Sequence, residues 1–121
     1  MIRVGDRADV TRAFTKADVD RLVALGGTCA PGVVPEPLIG ALFSYLLGVK
    51  LPGLGANYLK QQCEFVAPAP LGEPLTASVE VTRLRPDKRL VDLQTICRDA
   101  SGTLVCEGRA LIHAADVADA F

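Results

Sequence analysis

The sequence predicts an α+β domain in which a curved antiparallel sheet wraps one buried helix. Three observations lead there. The stretch Pro35 to Gly48, PEPLIGALFSYLLG, is apolar nearly all the way round after Pro37, so a helix formed over about Pro37–Leu47 has no face suited to water. It falls short of the about 20 apolar residues needed to span a bilayer. Downstream, Leu75, Ala77, Val79 and Val81 alternate with Thr76, Ser78, Glu80 and Thr82, the period of a half-buried strand. The length, 121 residues, suits one core, and we expect a single domain over residues 1–121.

Taken in order, Arg7 to Phe14 reads as a first strand. Thr15 and Asp18 then form a capping box with Asp in place of Glu, and Val19, Leu22, Val23 and Leu25 give the following surface helix an apolar stripe that Gly26 and Gly27 end. Thr28 to Val34 is a loop of small residues. Pro37 suits the first turn of the central helix, where its missing N–H costs nothing, and Gly48 suits the end. Gly40, Ala41 and Ser44 are small enough to let a sheet approach. Leu51 to Gly55 is a turn-rich connector, and Ala56 to Val66 is extended up to Pro68 and Pro70. Turns at Pro86–Lys88 and Asp99–Gly102 separate strands over Leu90–Arg98 and Thr103–His113. The expected order is strand, helix, buried helix, then four strands in a meander, with the order of the C-terminal AADVADAF left open.

Composition excludes several function classes. A net charge of -1, with basic and acidic residues interleaved, gives no case for nucleic acid or an anionic membrane. The N-terminus lacks the apolar run of a signal peptide, which points to a cytosolic protein. Cys29, Cys63, Cys97 and Cys106 form no CxxC pair and His113 is the sole histidine, so no metal site is expected and free buried thiols are the default.

From about Leu51 onward, and with the earlier segments over nearly its whole length, the chain resembles the MaoC-like hot-dog proteins, in particular the (R)-specific enoyl-CoA hydratases and 3-hydroxyacyl dehydratases. The resemblance is carried by FTKADVDRLVALGG (Phe14 to Gly27), ALFSYLLG (Ala41 to Gly48), LPGLG (Leu51 to Gly55), YLKQQCEF (Tyr58 to Phe65) and the hairpin segments Val81 to Thr95 and Gly102 to Ile112. It implies a hot-dog domain that pairs as a homodimer or in a hot-dog heteromer, and an acyl thioester on coenzyme A or on the phosphopantetheine of acyl carrier protein as substrate. No further cofactor is implied.

The chemistry so implied is reversible addition of water to a 2-enoyl thioester. It needs an aspartate and a histidine converging on one water, and an N–H at the start of the buried helix to polarise the thioester carbonyl. In the family these lie in a G-D-x-N-P-x-H segment, an overhang, and a His-Gly that opens the helix. Gly27-Thr28-Cys29-Ala30-Pro31 matches the first part with Thr28 for the aspartate and Ala30 for the asparagine. The histidine and an overhang of roughly fifteen residues have no counterpart before Pro35. Pro35 and Glu36 replace the His-Gly.

Two residues are therefore candidates for catalysis. Glu36, in the first turn of the helix, is either a cap favoured by the helix dipole or a nucleophile or general base, as in hot-dog thioesterases. The N–H groups of Glu36 and Leu38 are possible oxyanion contacts. Thr28 could orient a water, or simply serve the loop. Cys29 has no neighbouring cation and reads as a buried, inert thiol. His113 shares parity with Glu107 and Arg109 and should face away from the helix. For substrate binding, the resemblance implies Tyr58, Leu59 and Gln61 along the acyl tunnel, with core packing an equal account of Leu59, and Leu38 at the start of the central helix. Lys60, Arg83, Arg85, Lys88 and Arg89 either meet the carrier phosphates or are charges on a solvated hairpin. Three functions stay open: a hydratase or dehydratase, a thioesterase using Glu36, and a non-catalytic acyl-thioester-binding or partner subunit.

Overall fold

In the computed structural model, which describes residues 1–121, strand β1 (Arg7–Ala13) leads through buried Phe14 to helix α1 (Lys16–Ala24). The capping box forms in full: Thr15 Oγ1 accepts from the Asp18 amide at 3.4 Å, and the Asp18 carboxylate accepts from the Thr15 amide at 2.9 Å. Helix α2 (Glu36–Tyr45) continues into a π-helical turn, Leu46–Lys50. The helix thus runs past Gly48 rather than ending there. The wider turn keeps Leu46 and Leu47 in the core while the chain swings toward Leu51, whose N–H closes on the Leu46 carbonyl at 2.8 Å.

Strands β2 (Asn57–Phe65), β3 (Pro74–Arg85), β4 (Leu90–Arg98) and β5 (Leu104–His113) complete one antiparallel sheet in the order β1-β3-β4-β5-β2. This corrects the expected four-strand meander: only β3, β4 and β5 follow one another, while β2 crosses to the far edge and pairs β5. The crossing is fixed by backbone bonds. Val66 donates to Val105 O, Val34 donates to Ala69 O, and Val33 and Pro70 form an isolated bridge, so the segment between β2 and β3 passes over the start of α2.

The core lies between the inward side of the sheet and α2. Ile39, Leu42, Phe43, Leu46 and Leu47 press against Leu75, Ala77, Val79, Val81, Val91 and Leu93, all but excluded from solvent. Each such large side chain contributes roughly 1.5–3 kcal/mol. The prediction of a helix buried all round is met on one side only: Ala41, Ser44 and Tyr45 are exposed, because five strands curve around the core-facing half and leave the other half open. The C-terminal segment is seated rather than loose, with Ala114 and Ala120 buried and Ala120 O accepting from the Ile2 amide at 2.9 Å.

Candidate active site

The start of α2 opens on an apolar hollow of about 370 Å³. Val33, Val34 and Ile39 line it from the α2 side, Phe65 to Ala69 from the end of β2 and the segment after it, and Glu36 supplies the one charged group. Pro35 precedes the helix with extended backbone and no side chain caps the first turn. Pro37 has no N–H, and the Leu38 amide is committed to the Pro35 carbonyl at 3.0 Å. The Glu36 amide is bonded to no protein acceptor. Of the two amides expected to be free, the helix geometry leaves only that one, at the positive end of the α2 dipole.

Along β2, residues with side chains on the helix side follow from the pairing with β5. Phe65 stands opposite Cys106 and Gln61 opposite Ala110, both inward; Cys63 stands opposite Gly108 between them. A bulge between Tyr58 and Lys60 shifts the alternation, leaving Leu59 half exposed at the edge. Tyr58 Oη donates to Gln61 Oε1 at 2.5 Å, and Gln61 Nε2 donates to Thr95 Oγ1 at 3.0 Å. Thr95 is the one fully buried polar side chain, and this bond satisfies it. Burial pushes the Tyr58 phenol up to about 12.

Three thiols sit on the same inward surface. Cys97 and Cys106 face each other across β4 and β5, fully buried, and Cys63 on β2 is half-buried beside them. Burial pushes Cys97 up to about 11 and, with the Cys63 thiol adjoining and the Glu36 carboxylate adding to the effect, Cys106 up to about 12. Neither Cys97 nor Cys106 is a thiolate near neutral pH. Cys29, expected to be buried, is exposed, because nothing packs over the loop between α1 and α2.

The remaining candidates are dispersed. Thr28 is exposed on that loop and lines no part of the hollow. Leu38 points to the opposite side of α2, toward α1. Lys60 and Arg85 both line a polar depression of about 500 Å³ on the outward face of the sheet, shared with Arg109 and Asp92, where Arg85 Nη2 bonds Asp92 Oδ2 at 2.7 Å. Lys88 lies in the turn Pro86–Lys88, exposed. This end of β2 is about 17 Å from Phe65 at the rise of a strand. His113 is half-buried at the same distant end, opposite Asn57, with the outward parity expected of it. Phe65 and Cys63 were missed by sequence reasoning, since the bulge at Leu59 hides which residues of β2 face inward.

No protein-family model matches the chain. It is 34% identical over 126 positions to the (R)-specific enoyl-CoA hydratase of Aeromonas caviae, covering 92% of this chain and 94% of that protein. Its fold superposes on a solved structure of the A. caviae (R)-hydratase involved in PHA biosynthesis with a TM-score of 0.88, at 34% identity and over 92% of this chain and 96% of that one. A more distant likeness of fold, TM-score 0.70 at 16% identity over 93% of this chain and 98% of the other, is to the ChsH1-ChsH2 complex of Mycobacterium tuberculosis.

Proposed function

Because the chain belongs to the MaoC-like hot-dog family of (R)-specific enoyl-CoA hydratases, we propose that it is a cytosolic acyl-thioester protein that binds its substrate at the first turn of α2. The observation that carries this is the unpaired Glu36 amide at the mouth of an apolar hollow. The thioester carbonyl accepts from that amide, and the helix dipole favours the enolate oxygen that develops when water adds. The acyl chain leaves along the inward side of β2, past Cys63 toward Gln61 and Tyr58. The carrier is coenzyme A or the phosphopantetheine of acyl carrier protein.

Hydration places the water oxygen on C3 of the enoyl group and a proton on C2, so one group must accept a proton and one must deliver it. Glu36 is the only ionisable oxygen group lining the hollow and can serve as one of the two. The 126 aligned positions exceed what this chain contributes to them, 92% of 121 residues. That supports a segment of the hydratase without counterpart here, in line with Thr28 and Ala30 standing where the family pattern has its acid and amide.

The free edge of β2 supports pairing through that strand, by homodimer or hot-dog heteromer. Antiparallel pairing there would bring Tyr58 and Lys60 of a second chain beside the Glu36 end of the first. Two copies of this chain still hold no imidazole near either hollow, since His113 faces outward. This favours, as second reading, a binding subunit whose hot-dog partner supplies the acid and base.

Incubation with crotonyl-CoA, followed by enoyl absorbance and by thiol release, separates the readings. Loss of absorbance that is abolished in Glu36→Gln and kept in Thr28→Ala supports the hydratase. Thiol release with the same dependence makes it a thioesterase. Binding of the saturated ester by calorimetry without turnover supports the subunit, and absence of both binding and turnover rejects the proposal.

A further inference from the structure

A second cavity lies on the other side of α2 and shares no residue with the hollow at Glu36. Helix α1 is well terminated by its capping box, yet it buries only Val19. Leu22 of α1 and Leu25 just past its end look across a gap of about 520 Å³ at Leu38, Ala41, Leu42 and Tyr45 of α2, with Phe14 as floor. Leu25 is 87% exposed. Helices that pack directly sit about 8–10 Å apart with side chains interdigitated, and interiors leave few voids larger than a water. A leucine-lined slot of this size between two helices is in the range of small-ligand sites, about 300–1,000 Å³.

The rim of the slot is cationic. Arg12 from β1 and Arg21 from α1 both reach the single carboxylate of Asp18, at 3.1 and 3.4 Å, and the Arg12 guanidinium is held over the Phe14 ring at 4.7 Å. Two guanidinium groups share one carboxylate that is itself committed to the α1 cap. One positive charge is left over, fixed at the mouth of an apolar slot. Two turns of a helix, 10–12 Å across with side chains, need about twice this volume, which argues against a partner helix as occupant.

We propose that this slot binds the alkyl chain of a medium-length to long fatty acid, its carboxylate resting on Arg12 and Arg21. The site is independent of the thioester hollow. A free acid and an acyl thioester share the alkyl chain, but only the free acid brings a carboxylate to the arginines.

Calorimetric titration of the intact protein with octanoate, decanoate and dodecanoate tests it, with dodecanol and dodecanoyl-CoA as further ligands. One equivalent should bind, with affinity rising about fourfold per methylene. Ala41→Trp, which fills the slot from an exposed helix position, and Leu25→Glu, at an exposed position past the end of α1, should each weaken dodecanoate at least tenfold while the melting temperature stays put. Arg12→Gln/Arg21→Gln should weaken dodecanoate about tenfold and leave dodecanol unchanged. Glu36→Gln should leave dodecanoate binding unchanged, which separates this site from the thioester site. No binding of dodecanoate, equal binding by Ala41→Trp, or tight binding of dodecanoyl-CoA alone would each overturn the proposal.

Discussion

Gly108 on β5 lies so close to the carbonyl oxygen of Gln62 on β2 that a Cβ at position 108 would overlap that oxygen. The two strands approach there because no side chain stands between them, and such a Cβ would also lie 3.1 Å from the Cα of Cys63, the residue paired with Gly108. Gly108→Ala must push β2 away from the sheet or deform β5. We expect a loss of about 3 kcal/mol, seen as a fall in melting temperature of about 10 °C. Acyl-CoA affinity should fall with it, since β2 carries Phe65 into the hollow at Glu36. A fall of less than about 2 °C would show that the strands accommodate a methyl group.

The Arg85–Asp92 pair, 2.7 Å apart and with side chains 26% and 15% exposed, is the best-shielded ion pair in the molecule. Arg85 Nε is buried without a partner, so this guanidinium already carries an unmet donor. Asp92→Ala should cost about 1–3 kcal/mol by leaving the arginine uncompensated. Arg85→Met combined with Asp92→Leu should recover most of that loss in urea unfolding. Equal costs for the single and double variants would show that the pair is not coupled.

The four thiols should react with an aromatic disulfide reagent in the order of their shielding: Cys29 first, Cys63 slowly, and Cys97 and Cys106 only on unfolding. Burial holds the last two at about 11 and about 12 in the folded protein, against about 8.5 when unfolded. Raised folded values mean that their contribution is fully present below about pH 8.5 and declines as pH rises from there to the folded values of about 11 for Cys97 and about 12 for Cys106. Melting temperature should therefore drop on the alkaline side, less steeply in Cys97→Ala. A flat profile for the parent protein up to pH 10 would contradict this.

Asp18 is held below the usual carboxylate range, first by the Thr15 amide, then by the Thr15 hydroxyl and by Arg12 and Arg21. A lowered folded value means that the cap stabilises α1 above the unfolded value of about 3.9 and is lost as pH falls through the folded one. Helical circular dichroism should weaken in that acid window. Asp18→Asn should lower it at neutral pH and remove part of the acid dependence, with Asp9 and Asp99, similarly lowered, accounting for the rest. An unchanged acid profile in Asp18→Asn would dismiss the cap as its source.

Much of the fold is legible in the residues. The Thr15–Asp18 cap, the alternation of Leu75 to Val81, the turns at Pro86–Lys88 and Asp99–Gly102, and the apolar body of α2 each rest on interactions within a few residues, which sequence spacing encodes directly. The family resemblance and the hot-dog fold rest on the same local patterns, in order along the chain.

Other features depend on partners distant in sequence. Nothing local in β2 says that it will cross to β5 rather than pair with β3, because an edge strand is chosen by which surface the connection over α2 leaves open. The bulge at Leu59 arises from pairing with Ile112 and Leu111, and it alone decides that Gln61, Cys63 and Phe65 face inward. Lys60 and Arg85, adjacent in neither sequence nor strand, line one depression on the outward face that spans β4 and β5 between their strands. The residue types, then, determine which segments are helix, strand or turn and that an acyl-thioester scaffold results. Only the tertiary structure decides that Glu36 is the one charged group at the apolar hollow beside the start of α2 and that a gap opens between α1 and α2, since both follow from how whole elements pack, which no short stretch of chain contains.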